Sequence, residues 1–173
     1  MLVILTIDEV DAHLIRTLRD SPRVGLLEVA RRLQVARGTV QARLAKLERE
    51  GVVTGFGPEI DPAALGYAIT AFVLIELAQG RLTDAVAAMQ AMPEVLEADA
   101  ISGPQDVICR IVARDTEHLQ ELVNELLRTP AIRRCTSYIV LSRQVPPRTG
   151  PLVDAAGARS PQRARRGHRG GSV

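Results

Sequence analysis

The sequence predicts an α+β protein: an N-terminal winged helix-turn-helix domain, a C-terminal ferredoxin-like βαββαβ domain, and a disordered basic tail. Three observations predict it. Apolar residues recur at helical spacing in three short stretches before Gly51. From Ile69 the spacing switches to alternation and then runs strand, helix, strand, strand, helix, strand. From Pro146 the apolar pattern stops and Pro, Gly, Arg, Ser and Ala take over.

The first helix follows Thr6-Ile7-Asp8-Glu9, which reads as a capping box with Thr6 at the cap and Glu9 reaching back to its amide. Ile7, Val10, Leu14, Ile15 and Leu18 make one apolar face until Ser21-Pro22 breaks the helix. His13 is expected to be solvated. Leu26, Leu27, Val29, Ala30 and Leu33 form the buried stripe of a second helix, and Val40, Leu44 and Leu47 that of a third. Gln34-Val35-Ala36 between them has room only for a turn, so the helices cross steeply, with small Ala30 at the closest approach.

The third helix turns Arg37, Gly38, Thr39, Gln41, Arg43 and Lys46 away from that stripe. Arg and Gln side chains pair bidentately with guanine and adenine edges in a major groove, and Lys meets phosphate without reading sequence. Any surface helix has a solvated charged face, so the charges alone do not decide the matter. Two details favour double-stranded DNA. No acid lies between Arg31 and Glu48, and the short turn suits a helix presented away from the domain body. These six residues are the expected DNA-binding set.

Gly51 is a helix stop, Val52 to Gly57 is β-prone like a short wing, and Pro58 to Gly66 reads as a linker. Strands are expected over Ile69–Leu77, Leu96–Ile101, Val107–Ala113 and Cys135–Leu141. The two helices carry Leu82, Ala85, Val86, Met89 and Met92, then Leu119, Leu122, Val123, Leu126 and Leu127, with Thr116 as a cap. Both helices cover one sheet face. Because Phe72 and Leu74 oppose Val73 and Ile75, the other face is apolar too and needs a partner sheet. A homodimer is the expectation, and its twofold axis would present two recognition helices to a pseudo-palindromic site.

The formal charge is +2, but residues 146–173 hold six Arg and one Asp, so the preceding 145 residues carry −3. The body is not a generic polycation, and DNA affinity must come from local placement. Cys109 and Cys135 are too few and too far apart for a metal site or a disulfide framework and read as small core residues of a reducing cytoplasm. Met1 to Leu5 lacks the basic start and length of a signal peptide, and no run reaches the ~18–20 apolar residues of a membrane span. No nucleophile–base pair, metal-ligand spacing or phosphate loop is present, and His118 is expected on a solvated helix face. The chain is therefore not read as an enzyme, and no metal or catalytic residue is assigned.

Several ordered motifs carry a family resemblance. They are IDEVDAHLIRTL at Ile7–Leu18, the helix pair, LEREGVVTGFGPEIDPAALGYA at Leu47–Ala68, SGPQD at Ser102–Asp106 and TSYIVL at Thr136–Leu141. Over about Thr6 to Val145 the chain resembles the leucine-responsive / AsnC (feast/famine) transcription regulators. It departs from them at Gln34, where such turns often carry Gly, and at Ala36, where a capping Ser is common. By residue type alone, Ser102 to Asp106 is a hairpin turn. The resemblance adds more: the family's matching Ser-Gly-x-x-Asp turn borders amino-acid effector pockets at contacts between dimers. That nominates Ser102, Gly103, Gln105 and Asp106, with Thr136 and Tyr138 as neighbours.

The resemblance implies a cytoplasmic, nucleoid-associated regulator of amino-acid-related metabolism. Its homodimers would assemble into higher oligomers, an octamer among them, tuned by a small amino acid and using no other cofactor. The alternative is an architectural nucleoid protein with little sequence preference, which the basic tail favours. The expected division is residues 1–60 for DNA, 61–68 as linker, 69–145 for effector and oligomer contacts, and 146–173 as the disordered arginine-rich tail.

Overall fold

The computed structural model describes residues 7–166 of the chain. They fall into two compact units. One runs Glu59–Val145, and the other joins the segment ending at Pro58 to the segment beginning at Pro146.

The first unit opens with α1 (Glu9–Asp20). Its capping box lies two residues later than expected. Asp8 is the N-cap, its carboxylate accepts from the Asp11 amide at 2.8 Å, and Asp11 reaches back to the Asp8 amide at 3.2 Å. Thr6 lies outside the described residues. Two carboxylates at the start of a helix also suit its positive end. The pair α2 (Leu26–Leu33) and α3 (Arg37–Arg49) follows. Leu14, Val29, Ala30, Val40 and Leu47 are buried together, with Ile15, Leu18, Leu33 and Leu44 at the margin. Leu27 does not join that stripe: it is 70% exposed, one position off the α2 face that holds Val29, Ala30 and Leu33. His13 is exposed, as expected.

The turn between α2 and α3 carries the cost of both departures from the usual residues. Gln34 adopts φ 54°, ψ 39°, the left-handed region that Gly enters freely, and is the one described non-glycine residue with positive φ. Its amide and that of Val35 close α2 onto Arg31 and Ala30 carbonyls. Ala36 caps α3 with no side-chain hydrogen bond. After Gly51, no strand is formed among the described residues before the 3-10 turn at Pro62–Leu65, so the expected wing is an extended connection here.

Within the tail expected over residues 146–173, Gly150–Arg166 forms a helix, α6, and the last seven residues of that tail lie outside those described. Val153 and Ala156 pack against the first unit's core, and Asp154 pairs with Arg16 of α1 at 2.8 Å. A Cβ at Gly157 would lie 2.6 Å from Ala12 Cβ, so only glycine permits this helix crossing. Val153, Ala156 and Gly157 are spaced at i, i+3 and i+4, but two small residues make too weak an apolar stripe to be recognised in a segment rich in Arg, Gly and Pro.

The second unit is the expected βαββαβ array. Its elements are β1 (Ile69–Leu77), α4 (Leu82–Gln90), β2 (Val95–Ala100), β3 (Val107–Ala113), α5 (Thr116–Arg128) and β4 (Ile132–Ile139). The sheet order is β2-β3-β1-β4, with every neighbouring pair antiparallel. Ala71, Val73 and Ile75 alternate into a core with Cys109, Ile111, Ala85, Met89, Leu122 and Leu126. Burial pushes the Cys109 and Cys135 thiols up to about 12 and about 11, so both are inert core thiols. Two details of α5 differ from expectation. Asp115, not Thr116, is the N-cap, because its carboxylate accepts from the His118 amide. His118 is 8% exposed, not solvated: its Nδ1 accepts from the Arg114 amide at 3.2 Å. Leu127 is 42% exposed and sits at the rim of the stripe that Leu126 completes.

Candidate nucleic-acid interface and effector turn

On α3, Val40 and Leu47 are fully buried, and Arg37, Gly38, Thr39 and Gln41 are exposed on the far side, with Lys46 half-buried beside them. The first turn has no acidic residue. The same period leaves four residues not nominated from sequence exposed as well: Ala42, Ala45, Arg49 and the acidic Glu48. Gly38, Ala42 and Ala45 make the outward centre of the helix nearly smooth. Its backbone can then approach a groove floor closely, with Arg37, Gln41 and Arg49 around it. The signal was present in the spacing, since positions opposite Val40, Leu44 and Leu47 must face out.

Arg43, nominated with them, is engaged within its own unit. Its Nη1 donates to Asp8 Oδ2 at 2.7 Å and to Asp11 Oδ1 at 2.6 Å, joining α3 to the cap of α1. Burial of Asp8 acts to raise its carboxyl, but the Asp11 amide and the Arg43 guanidinium outweigh it and hold it below its usual value. The same two carboxylates raise Arg43. A guanidinium engaged in this way clamps α3 to the start of α1. On α2, Arg31 and Arg32 both bind Glu28 and draw its carboxyl down to about 2.

In the second unit, Ser102 to Asp106 is the β2–β3 connection, with Gly103 at φ 141°. Asp106 has local work: its Oδ2 accepts from the Leu77 amide at 2.7 Å, and its own amide donates to the Ile75 carbonyl at 2.9 Å. These bonds pin the turn to the end of β1 and, among the described residues, leave Oδ1 without a hydrogen bond. Ser102, Gly103 and Asp106 are exposed and Gln105 is half-buried. Thr136 and Tyr138 are not gathered with them. They lie on β4, opposite Leu74 and Phe72, with β1 between them and β3. No local sequence pattern tells which place in the sheet a strand occupies.

The sheet face away from the helices is open. Register places Arg110, Phe72 and Tyr138 in one row across β3, β1 and β4, with Phe72 40% and Tyr138 56% exposed. Beside it, a cleft of about 610 Å³ is bounded by Tyr67, Thr70, Leu96, Arg110, Val112 and Arg143, among others. Arg110 Nε is buried there without a hydrogen-bond partner, 3.3 Å from Glu97 Oε2. None of the nominated effector residues lines this cleft.

The family model for winged helix-turn-helix DNA-binding matches residues 7–54, and that for the Lrp/AsnC ligand binding domain matches residues 70–149. The chain belongs to the Lrp/AsnC family of transcription regulators. An HTH-type transcriptional regulator of Pyrococcus abyssi is 31% identical over 137 residues, 79% of this chain and 87% of that one. The structure of E. coli AsnC superposes with a TM-score of 0.78 at 26% identity, covering 85% of this chain and all of AsnC. The feast or famine regulatory protein of M. tuberculosis, solved in complex with L-methionine, superposes with a TM-score of 0.72 at 29% identity, covering 82% and 96%. The Lrp/AsnC assignment makes this chain a DNA-binding transcription regulator carrying the family's ligand-binding domain, and that family consists of regulators, not enzymes. α6 begins where the match to the Lrp/AsnC ligand-binding domain ends.

Proposed function

We propose that the chain controls genes of amino-acid-related metabolism by presenting α3 to operator DNA, under the influence of an amino-acid effector. The observation that carries this reading is the outward face of α3, which from Arg37 to Lys46 holds no acid. Arg37, Thr39 and Gln41 are the base-reading candidates, Lys46 a phosphate contact, and Gly38 the position of close approach. Residues 1–60 serve DNA, 61–68 connect, and 69–145 serve assembly and effector binding. The open sheet face with Phe72 and Tyr138 seats a second copy, forming a homodimer that builds to an octamer. Ser102, Gly103, Gln105 and the carboxylate of Asp106 meet the effector where another dimer closes over the turn, and Thr136 and Tyr138 belong to the dimer face instead. The setting is the cytoplasm, on the nucleoid.

The test is a titration onto DNA from upstream of the protein's own gene against random DNA of equal length. It is run at ~150 mM salt, so that the nonspecific backbone contribution does not dominate, and with and without L-methionine or a mixed amino-acid pool. Specific binding that shifts with an amino acid supports the full reading. Specific binding without a shift removes the effector part. Equal affinity for both DNAs supports the second reading, an architectural protein with little sequence preference, which the arginine-rich C terminus favours.

A further inference from the structure

We propose that α6 is an arm of the DNA-binding unit that delivers an arginine-rich segment to the phosphates flanking the site read by α3. The inference rests on the DNA-binding role of that unit and adds a second, sequence-independent contact surface to it.

Three contacts fix the direction of α6. Gly150 sits at the Arg19 guanidinium, Asp154 at Arg16, and Gly157 at Ala12 and the Asp8 carbonyl. Moving along α6 therefore means moving back along α1, so the two helices are antiparallel. The α1 end that α6 reaches is the one clamped to α3 by Arg43 through Asp8 and Asp11. From Gly157, in contact with α1, the helix runs on to Arg166, about 13 Å farther at 1.5 Å per residue. The only acid after Pro146, Asp154, lies before that point and is paired with Arg16. After Gly157 the sequence holds Arg159, Arg163, Arg165, Arg166 and Arg169 and no acid. This is the chain's densest positive charge, on a protein whose first 145 residues carry −3.

The docking looks built for position. Gly157 accepts no side chain against Ala12, and Val153 and Ala156 add to the helix-turn-helix core. A merely solvated extension needs neither. The chemistry that fits five arginines without an acid is a run of phosphates, whose condensed counterions are released on contact.

The experiment measures the slope of log K against log[salt] on specific and random duplexes, with thermal melts in parallel. It compares the full chain with three full-length variants: Arg163→Gln/Arg165→Gln/Arg166→Gln, Gly157→Leu and Arg37→Ala. The triple variant should flatten the slope by about 2 to 3, at roughly 0.9 for each phosphate no longer neutralised, equally on both DNAs and with Tm unchanged. Gly157→Leu, which keeps every arginine, should flatten it similarly and lower Tm. An unchanged slope in the triple variant overturns the proposal, as does a wild-type slope in a folded Gly157→Leu. If Gly157→Leu does not fold, amide hydrogen exchange on the wild-type chain decides the docking: protected amides over residues 153–158 support it, and unprotected ones overturn it. Arg37→Ala separates the two readings. If it leaves specific affinity intact while the triple variant loses slope, the recognition-helix assignment fails and the arm stands.

Discussion

Arg43 Nη1 on α3 lies 2.6 Å from Oδ1 of Asp11, a residue only 3% exposed at the start of α1. The third helix thus neutralises the carboxylate that closes the capping box of the first, and the recognition helix is locked to its domain by its own arginine.

Arg43 and Arg37 should consequently separate cleanly on substitution. Arg43→Ala strands Asp11 as an uncompensated buried charge. It should cost about 1–3 kcal/mol, less than the ~3–5 kcal/mol of a fully buried pair, because Arg43 remains partly solvated. Arg37 is exposed, so Arg37→Ala should stay within about 0.5 kcal/mol in stability and weaken operator binding by roughly tenfold or more. Thermal melts and DNA titrations on both variants check this. A stable Arg43→Ala chain with weakened DNA affinity would return Arg43 to the interface.

Acid should loosen the first unit in a defined window. Asp8 is held below its ordinary 3.8, and Glu28 below its ordinary 4.5, at about 2. The unfolded chain therefore binds more protons than the folded one as pH falls through these values. The stabilisation is complete above about pH 5 and drains as pH drops toward 2. Arg43→Ala should remove the guanidinium's part of the Asp8 share and leave that of the Asp11 amide, while Arg31→Ala/Arg32→Ala should remove the Glu28 share. Each should show as a shallower fall of Tm between pH 5 and pH 3. An unchanged fall in both would contradict the assignment.

The turn between α2 and α3 can be improved. Gln34→Gly relieves a left-handed side-chain conformation at the expense of unfolded-chain entropy and should stabilise by about 0.5–1 kcal/mol. Ala36→Ser supplies the missing cap and should add roughly 1 kcal/mol. The positions are neighbours, so the double variant is measured directly, without assuming a sum. Chemical denaturation reads all three, and a loss of stability in either single variant would refute the geometry described for that residue.

Asp106 offers a way to part structure from ligand. Asp106→Asn keeps an acceptor for the Leu77 amide and removes the charge that an amino-acid ammonium group would meet. The variant should melt within about 1 kcal/mol of wild type yet lose any amino-acid response in the DNA titration. Asp106→Ala should lose both the response and about 1–2 kcal/mol, since the Leu77 amide loses its partner. A full response in Asp106→Asn would confine Asp106 to pinning the hairpin.

The sequence by itself determined the elements and their order, because periodicity is a local property. Val40, Leu44 and Leu47 must share a helix face, and Ile69 to Leu77 must alternate across a sheet wherever the rest of the chain lies. β1 and β3 begin and end at the residues the alternation indicates. The exposed face of α3 is legible for the same reason, although small Ala42 and Ala45 carry no chemistry that draws attention to its outward centre. Only the tertiary structure decided what each polar group meets. Arg43 looks like any cation of a basic helix until Asp8 and Asp11, over 30 residues away, are brought to its guanidinium. His118 looks like a surface residue until the first turn of α5 seals it against Arg114. α6 looks like a tail because its contact face is mostly small: Ala156 and Gly157 contribute close approach in place of apolar area, and close approach exists only once α1 is there to be approached. Ser102 and Tyr138 are separated for a related reason, since strand order, which no local pattern encodes, sets β1 between β3 and β4.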